Sequence, residues 1–318
     1  MRKTFLILFL SVIISLGSLT GCKLSVLEIG VSTYPVEYLV KRIAKEKVNI
    51  VTLSTGETIT RSQAVEDFKA TLSKLDVFFQ MGQLEPYISA HLDDIQKSNV
   101  KIIDLVGSSA VYAFKRYTTN VIGNQSISVT SDYYDGSVFD TIDMYESDPY
   151  LWLDPITMTS MASTIKKWLV SNYPEEKAFF ESNFADLEVE LANMDANYQL
   201  IRNKEISVVS ITPSFGNWQK AYGMKIYPVV LSRYGVLPNA QQLAIIKAKI
   251  KDEGVQYIIK DPLMSADMLV LYEELKSEFA LDEIVLHSLA FLTEKDVENK
   301  DDYMTLMYKN LAVLKLID

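Results

Sequence analysis

Short β-rich runs alternate with longer helical runs along most of this chain, and the alternation occurs in two separate stretches. In the first stretch, strands are predicted at Val26–Ser32, Val48–Leu53, Asp76–Phe79 and Lys101–Leu105. In the second, they are predicted at Ile206–Ile211, Lys225–Val230, Gln256–Ile259 and Glu283–Leu286. Strands that alternate with helices form right-handed βαβ units around a parallel sheet. The sequence therefore predicts an α/β protein with two lobes, each a mainly parallel sheet flanked by helices.

A long helical pattern separates the two stretches. Pro174 stands where a helix can begin. Proline has no backbone N–H, and a helix would leave the N–H of its first turn without a partner in any case. Apolar residues then recur at helical spacing to about Ile201, and a helix of about 28 residues would measure about 42 Å. We expect one long rigid helix that joins the lobes. The predicted division is a signal peptide at 1–21, an N-terminal lobe at 22–172, a linking helix at 173–204 and a C-terminal lobe at 205–318.

Three further segments have their own patterns. Residues 61–73 carry apolar side chains at every fourth position, which predicts a helix. Residues 115–147 are rich in Ser, Thr, Asp, Asn, Gly and Tyr, and we expect a long loop or a small hairpin there. The run of charges from Glu294 to Asp302 predicts a solvated loop.

The first residues have the three-part pattern of a secretory signal peptide. Arg2 and Lys3 supply positive charge, Phe5–Leu16 form an apolar run, and small residues precede Cys22. This cysteine is the only one in the chain, so it has no intrachain disulfide partner. The pattern is typical of a bacterial lipoprotein, in which Cys22 becomes the lipid-carrying N-terminus on the extracytoplasmic face of the cell membrane. The alternatives are an ordinary signal peptide, or a membrane anchor shorter than the usual span of about 20 residues.

The charge balance excludes one large class of partner. The chain has 31 Lys and Arg against 41 Asp and Glu, and removal of the signal peptide would make it more acidic. Such a body does not suit nucleic acid, whose phosphates require a basic face. The chain has no glycine-rich phosphate loop and no Gly-x-Ser-x-Gly elbow, so we expect no enzyme activity. We expect a monomer.

One motif connects the chain to a known family. Asp148–Pro155 reads DPYLWLDP and is similar to the D-P-H-x-W-L-D-P motif of zinc- and manganese-type solute-binding lipoproteins of ABC importers, except at the histidine. Shorter matches occur in the family's order at Ser32–Pro35, Gly82–Glu85, Phe215–Gly223 and Tyr303–Leu311. The resemblance implies transport rather than catalysis. Such a protein captures its ligand outside the cell and delivers it to a membrane permease powered by a cytoplasmic ATPase.

The resemblance also implies a metal site, whose four ligand positions are altered in this chain. They match Ile59, Tyr150, Thr212 and His287, where the family has mainly histidine and one acidic residue. Zinc prefers imidazole, thiolate or carboxylate ligands in a tetrahedral set. The chain has only two histidines, so a histidine-rich zinc site is impossible.

Three alternatives stay open for the ligand. A rearranged site could use Glu57, Asp261 and His287, with or without Tyr150, and its oxygen donors would favour manganese or iron over zinc. The cleft could instead hold a non-metal small ligand. The candidates for lining it are Tyr34, Ile59, Tyr150, Thr212 and Trp218. Thirdly, the protein could be an accessory or adhesive lipoprotein without a solute.

Some of these residues also have purely structural interpretations. His287 could satisfy a local hydrogen bond at a strand end. Asp261 could initiate a turn, because Asp before Pro commonly does so. We expect Trp152 and Leu153 to pack in the core.

Overall fold

The computed structural model describes residues 26–317. The predicted signal peptide and Cys22 lie outside the described residues. Within residues 26–317, no helix combines the length and apolar character that a membrane crossing requires.

The N-terminal lobe contains a four-stranded parallel sheet. The strands of this lobe are β1 Leu27–Val31, β2 Val48–Thr52, β3 Ser54–Thr55, β4 Gln63–Ala64, β5 Val77–Gln80, β6 Lys101–Asp104, β7 Arg116–Ile122 and β8 Gln125–Ser131. The main sheet has the order β2-β1-β5-β6, and β3–β4 and β7–β8 form separate antiparallel pairs. The helices are α1 Tyr34–Ala44, α2 Phe68–Leu72, α3 Pro86–Ala90, α4 Leu92–Lys97 and α5 Pro155–Asn172.

The C-terminal lobe repeats this arrangement. After a linking helix, α6 Lys177–Gln199, its strands are β9 Ser207–Ser210, β10 Lys225–Pro228, β11 Tyr257–Lys260 and β12 Asp282–Val285. They form a parallel sheet in the order β10-β9-β11-β12, so in both lobes the second strand lies outside the first. The helices are α7 Asn217–Tyr222, α8 Ala240–Asp252, α9 Ala266–Phe279, α10 Glu294–Asn299 and α11 Tyr303–Leu316. The predicted fold class is confirmed.

The linking helix α6 packs against both lobes. It contacts α1 and α5 of the N-terminal lobe and α7 and α11 of the C-terminal lobe. At one end the Asn183 side-chain amide donates to the Ile43 carbonyl at 2.9 Å, and at the other the Tyr198 hydroxyl donates to the Met307 carbonyl at 2.6 Å. The helix has 23 residues. It is shorter than predicted because residues 174–176 form a 3-10 turn.

Two segment predictions were wrong. Within 61–73, only Phe68–Leu72 is α-helical, because Gln63 and Ala64 pair with the short strand β3. The charged run after Thr293 begins with the helix α10 rather than a loop. Thr293 and Asp296 form a capping box there, in which each side chain accepts from the other's backbone N–H. Within 115–147, the predicted hairpin is confirmed as β7–β8.

Candidate ligand site between the lobes

Polar residues follow the strands of both sheets, at the strand ends where ligands gather in parallel α/β folds. Ser32 follows β1, Asp261 follows β11, and Ser288 lies three residues after β12. All three residues are buried. Tyr150 comes from the segment that leads into α5 and is fully buried near Asp261. The candidate site is the group of Tyr150, Asp261 and Ser288.

The backbone of Tyr150 is fixed by hydrogen bonds, whereas its phenol oxygen makes no well-formed hydrogen bond. Its N–H donates to Asp148 Oδ1 at 2.9 Å, and its carbonyl accepts from Asn217 Nδ2 at 3.3 Å. Among the described residues, no group makes a well-formed hydrogen bond to the phenol oxygen. Burial raises the pKa of Tyr150 well above its usual value, and the neighbouring Asp261 carboxyl raises it further. The backbone of Ile59 faces the phenol and opposes this increase in pKa.

Asp261 has one bonded and one unbonded oxygen. Oδ1 accepts from the backbone N–H of Leu263 at 3.1 Å and, more weakly, from that of Ser288 at 3.5 Å. This is the turn expected for Asp before Pro. Within the described part of the chain, Oδ2 and the Ser288 hydroxyl oxygen make no well-formed hydrogen bond, although the two side chains are near each other. Burial raises the pKa of Asp261, and the nearby His287 opposes that effect.

His287 has the structural role that its local sequence allowed. Its ring Nδ1 accepts from the backbone N–H of Leu289 at 2.9 Å, which places the ring proton on Nε2. Nε2 then donates to Asp296 Oδ2 at 3.0 Å. The backbone N–H of His287 donates to Asn310 Oδ1 at 2.8 Å. Both ring nitrogens are therefore used inside the C-terminal lobe.

The structure does not bring the four predicted metal ligands into one cluster. Tyr150 and Asp261 are neighbours, whereas Glu57 is exposed at the start of the loop that carries Arg61. Between residues 26 and 317, no three His, Cys, Asp or Glu side chains are grouped as a metal site.

The other cleft candidates occupy different places. Ile59 is fully buried and faces Tyr150. Thr212 is buried, and its hydroxyl is hydrogen-bonded to that of Ser214. Tyr34 packs beside Tyr38, with Asp302 of the C-terminal lobe nearby.

Trp218 belongs to the core rather than to a ligand surface. It is fully buried, and its indole N–H donates to the Leu153 carbonyl at 2.8 Å. Trp152 is also fully buried, which confirms the prediction that it packs in the core. Its indole N–H donates to the Ser288 carbonyl at 2.7 Å, and its own carbonyl accepts from the Tyr303 hydroxyl at 2.6 Å. The DPYLWLDP motif thus fixes Tyr150 against the C-terminal lobe.

Two buried acids near the site were not singled out from the sequence, although both lie in quoted motifs. Glu85 is fully buried, accepts from the Met81 backbone N–H at 2.8 Å, and has its pKa raised to about 7 by burial. Burial also raises the pKa of Asp148 to about 7. Glu85 immediately precedes Pro86 at the start of α3, and an acid beside a helix N-terminus is commonly explained by the helix dipole. The sequence therefore gave no sign that it was buried.

Two parallel α/β lobes joined by a long helix, with a buried polar site between them, define the architecture of a solute-binding protein. The family model described as "ZnuA: Zinc-uptake complex component A periplasmic" matches residues 29–316. The chain belongs to this family.

Curated relatives agree with this assignment. The zinc-binding lipoprotein AdcA of Streptococcus pneumoniae is 25% identical over 293 residues, covering 91% of this chain and 55% of AdcA. The high-affinity zinc uptake system protein ZnuA of Bacillus subtilis is 27% identical over 170 residues, covering 53% and 52% of the two chains. This chain thus spans about half the length of the curated relatives it matches.

Two solved structures show the same fold. The Zn(II)-bound ZnuA-like domain of S. pneumoniae AdcA has a TM-score of 0.68 at 24% identity, with 92% of this chain and 99% of that chain covered. The periplasmic zinc-binding protein TroA of Treponema pallidum has a TM-score of 0.71 at 14% identity, with 92% and 99% covered.

Proposed function

We propose that this chain is the extracytoplasmic solute-binding component of an ABC importer of the divalent-metal-uptake class, with a rebuilt ligand site. It captures its cargo between the lobes and delivers it to a membrane permease that a cytoplasmic ATPase drives. Family membership and the two-lobed fold support this role, which involves no catalysis. The signal-peptide pattern, together with a relative named as a lipoprotein, supports a lipid anchor at Cys22. We propose that the anchored protein is a monomer.

One observation carries the choice of site. The Tyr150 phenol oxygen, Asp261 Oδ2 and the Ser288 hydroxyl oxygen are buried near one another, and none of them makes a well-formed hydrogen bond in the described structure. A buried polar atom without a partner costs free energy, and such atoms are uncommon in folded proteins. A ligand that supplies a positive charge or hydrogen-bond donors would recover that cost.

The donor chemistry favours one class of cargo. A set made only of carboxylate and hydroxyl oxygens favours manganese or iron, because zinc, which also accepts carboxylate, usually has nitrogen or sulfur ligands in its tetrahedral set. A bound cation would also stabilise the Tyr150 phenolate, because an ion is the largest charge in such a site. His287 supplies no nitrogen, since both its ring atoms are already bonded.

A second candidate cargo is a non-metal molecule that carries hydrogen-bond donors. All three oxygens can accept hydrogen bonds, and no three His, Cys, Asp or Glu side chains of the described residues are grouped as a metal site. An accessory lipoprotein without a solute is the remaining outcome of the test.

The test is a thermal-shift and calorimetric titration of the purified protein with Mn²⁺, Fe²⁺, Fe³⁺ and Zn²⁺. A ligand present at 100 times its Kd stabilises the folded state by about 2.7 kcal/mol. Tyr150→Phe and Asp261→Asn should each abolish the manganese or iron shift. Tyr34→Phe is the matched control, because it removes a phenol oxygen outside the candidate site.

Tyr150→Phe is an informative variant because the phenol oxygen bonds to no described residue. Its removal should leave the stability of the ligand-free protein unchanged or slightly higher. A metal shift that survives in both site variants would show that the metal binds elsewhere. If no ion shifts the melting temperature, the metal class is refuted and amines or other donor-rich solutes are tested on the same variants.

A further inference from the structure

The edge of the interlobe cleft carries an arginine that reaches from one lobe into the other. Arg61 belongs to the N-terminal lobe, in the 3-10 turn Ile59–Arg61. Its guanidinium donates to Asp267 Oδ1 and Oδ2 of the C-terminal lobe, at 2.7 Å each. It also donates to the Ser265 hydroxyl at 2.8 Å and to the Gly235 carbonyl at 2.7 Å. One side chain thus makes four hydrogen bonds across the cleft.

The geometry of this contact is specific to arginine. A planar guanidinium binds both oxygens of a carboxylate at once, which an ammonium cannot do. Asp267 lies in the first turn of α9, where the helix dipole favours a negative charge. The hydrogen bonds from Arg61 hold the pKa of Asp267 well below its usual range. The ion pair therefore persists throughout the physiological pH range.

Gly235 allows the guanidinium to approach the backbone. Its φ of +66° is a conformation that side-chain-bearing residues rarely adopt. A Cβ atom at this position would lie 2.8 Å from Arg61 Nε. The loop after β10 is therefore shaped around the arginine.

Arg61 and Asp267 both line a groove, and the turn that carries Arg61 leads to the candidate site. The groove has a volume of about 770 Å³ and is lined from both lobes by Arg61, Tyr87, His91, Tyr234, Val236 and Asp267. The same turn continues to Ile59, which is fully buried and faces the Tyr150 phenol. Movement of Arg61 away from Asp267 would therefore carry Ile59 away from Tyr150.

We infer that Arg61 is a positioning residue that holds the lobes together beside the Tyr150–Asp261 site. We call its contact with Asp267, Ser265 and Gly235 the latch. The latch holds the turn that carries Arg61 against the C-terminal lobe, in addition to the buried bonds of Trp152 and Trp218 that also join the lobes. Opening it joins the groove to the site, so the latch controls the entry and exit of the cargo. Arg61 and Asp267 remain 32% and 47% exposed, so dissolved salt reaches the pair and weakens it.

The experiment measures the distance between the lobes, without any added ligand. Cys22 is the only native cysteine, so spin labels can be placed at Ala70→Cys and Ser277→Cys in a Cys22→Ser background. Both label positions are exposed, and they lie on α2 and α9 of opposite lobes. Pulsed electron resonance then reports the distribution of interlobe distances.

Arg61→Gln and Asp267→Asn should each increase the ratio of open to closed molecules about tenfold, because each removes charge-assisted hydrogen bonds between the lobes. The control is Lys247→Gln, which breaks ion pairs of 2.6 Å to Glu274 and Glu278 inside the C-terminal lobe. That variant should keep the original distances. Circular dichroism verifies that each variant is folded.

A second test is a salt titration of the spin-labelled protein in which Arg61 and Asp267 are both intact. Raising NaCl from 0.05 to 1 M should shift the distances toward the open form, and this dependence should vanish in Arg61→Gln. Distances in Arg61→Gln and Asp267→Asn that match the Lys247→Gln control would overturn the inference. Since no cargo is present, that result would leave the proposed transport function to be judged by the titrations above.

Discussion

The buried carboxyl of Glu85 should make the protein less stable as the pH rises. Its pKa in the folded protein is raised from 4.5 to about 7 by burial. A group of this kind contributes stability that is fully present below pH 4.5 and is lost as the pH rises through about 7. The difference between the two pKa values corresponds to about 3 kcal/mol of unfolding free energy at pH 8.

Glu85→Gln should remove this loss. Glutamine has the shape of the protonated acid, and its amide oxygen can still accept from the Met81 N–H. Its amide NH₂ can donate to the Ser32 hydroxyl, which already faces the carboxyl. The variant should therefore exceed the original protein in unfolding free energy by about 3 kcal/mol at pH 8, and by less than about 1 kcal/mol at pH 5.

The assay is urea unfolding at both pH values, monitored by tryptophan fluorescence. Glu298→Gln, which removes an exposed carboxylate from α10, controls for the change in net charge. If Glu85→Gln and the original protein lose equal stability between pH 5 and pH 8, Glu85 is ionised at no cost and the reasoning is refuted.

Two more predictions concern the linking helix and the altered ligand positions. Tyr198→Phe removes a buried hydrogen bond to the Met307 carbonyl and should lower the unfolding free energy by about 1–3 kcal/mol. Urea unfolding measures this, and an unchanged urea midpoint would contradict the prediction. Substituting Ile59, Tyr150 and Thr212 together by histidine should create zinc affinity, detected by competition with a chelator. Ile59→His alone should not, because one imidazole does not complete a tetrahedral set. Equal zinc affinity in both variants would contradict this prediction.

Most of the fold could be predicted because its signals are local. The eight strands of the two main sheets were each predicted to within two residues at either end, since short apolar runs between helical segments are distinctive. The helix predicted at 61–73 failed for a non-local reason. Its first residues pair with Ser54 and Thr55, and pairing between strands overrides the spacing of apolar residues.

The candidate site was only partly predictable. Tyr150 and Asp261 could be named because one lies in a motif and the other follows a strand. His287 was named as a ligand from its position, yet both of its ring nitrogens are hydrogen-bonded, to the Leu289 backbone N–H and to Asp296. Hydrogen bonds of this kind depend on the fold of one loop, so the sequence allowed a local hydrogen bond for His287 without identifying its partners.

The Arg61–Asp267 contact was invisible in the sequence because the two residues are 206 positions apart. Neither lies in a motif, and exposed charges usually belong to a solvated surface. Only the packing of the lobes brings them together. Gly235 was the one local sign, because a glycine with positive φ indicates a turn or a close approach.

The latch and the altered site have a common energetic consequence. When a ligand must also close two lobes, part of its binding free energy is used for that movement. Its apparent affinity is therefore lower when a smaller fraction of the molecules is already closed. Here four hydrogen bonds at the cleft edge, together with the buried bonds of Trp152 and Trp218, hold the lobes together independently of the cargo. The affinity of the Tyr150–Asp261 site is then determined by its own oxygen atoms, and a small set of donors is sufficient for capture. Release requires the latch to open, so weakening Arg61 should speed the loss of cargo even where every donor is intact.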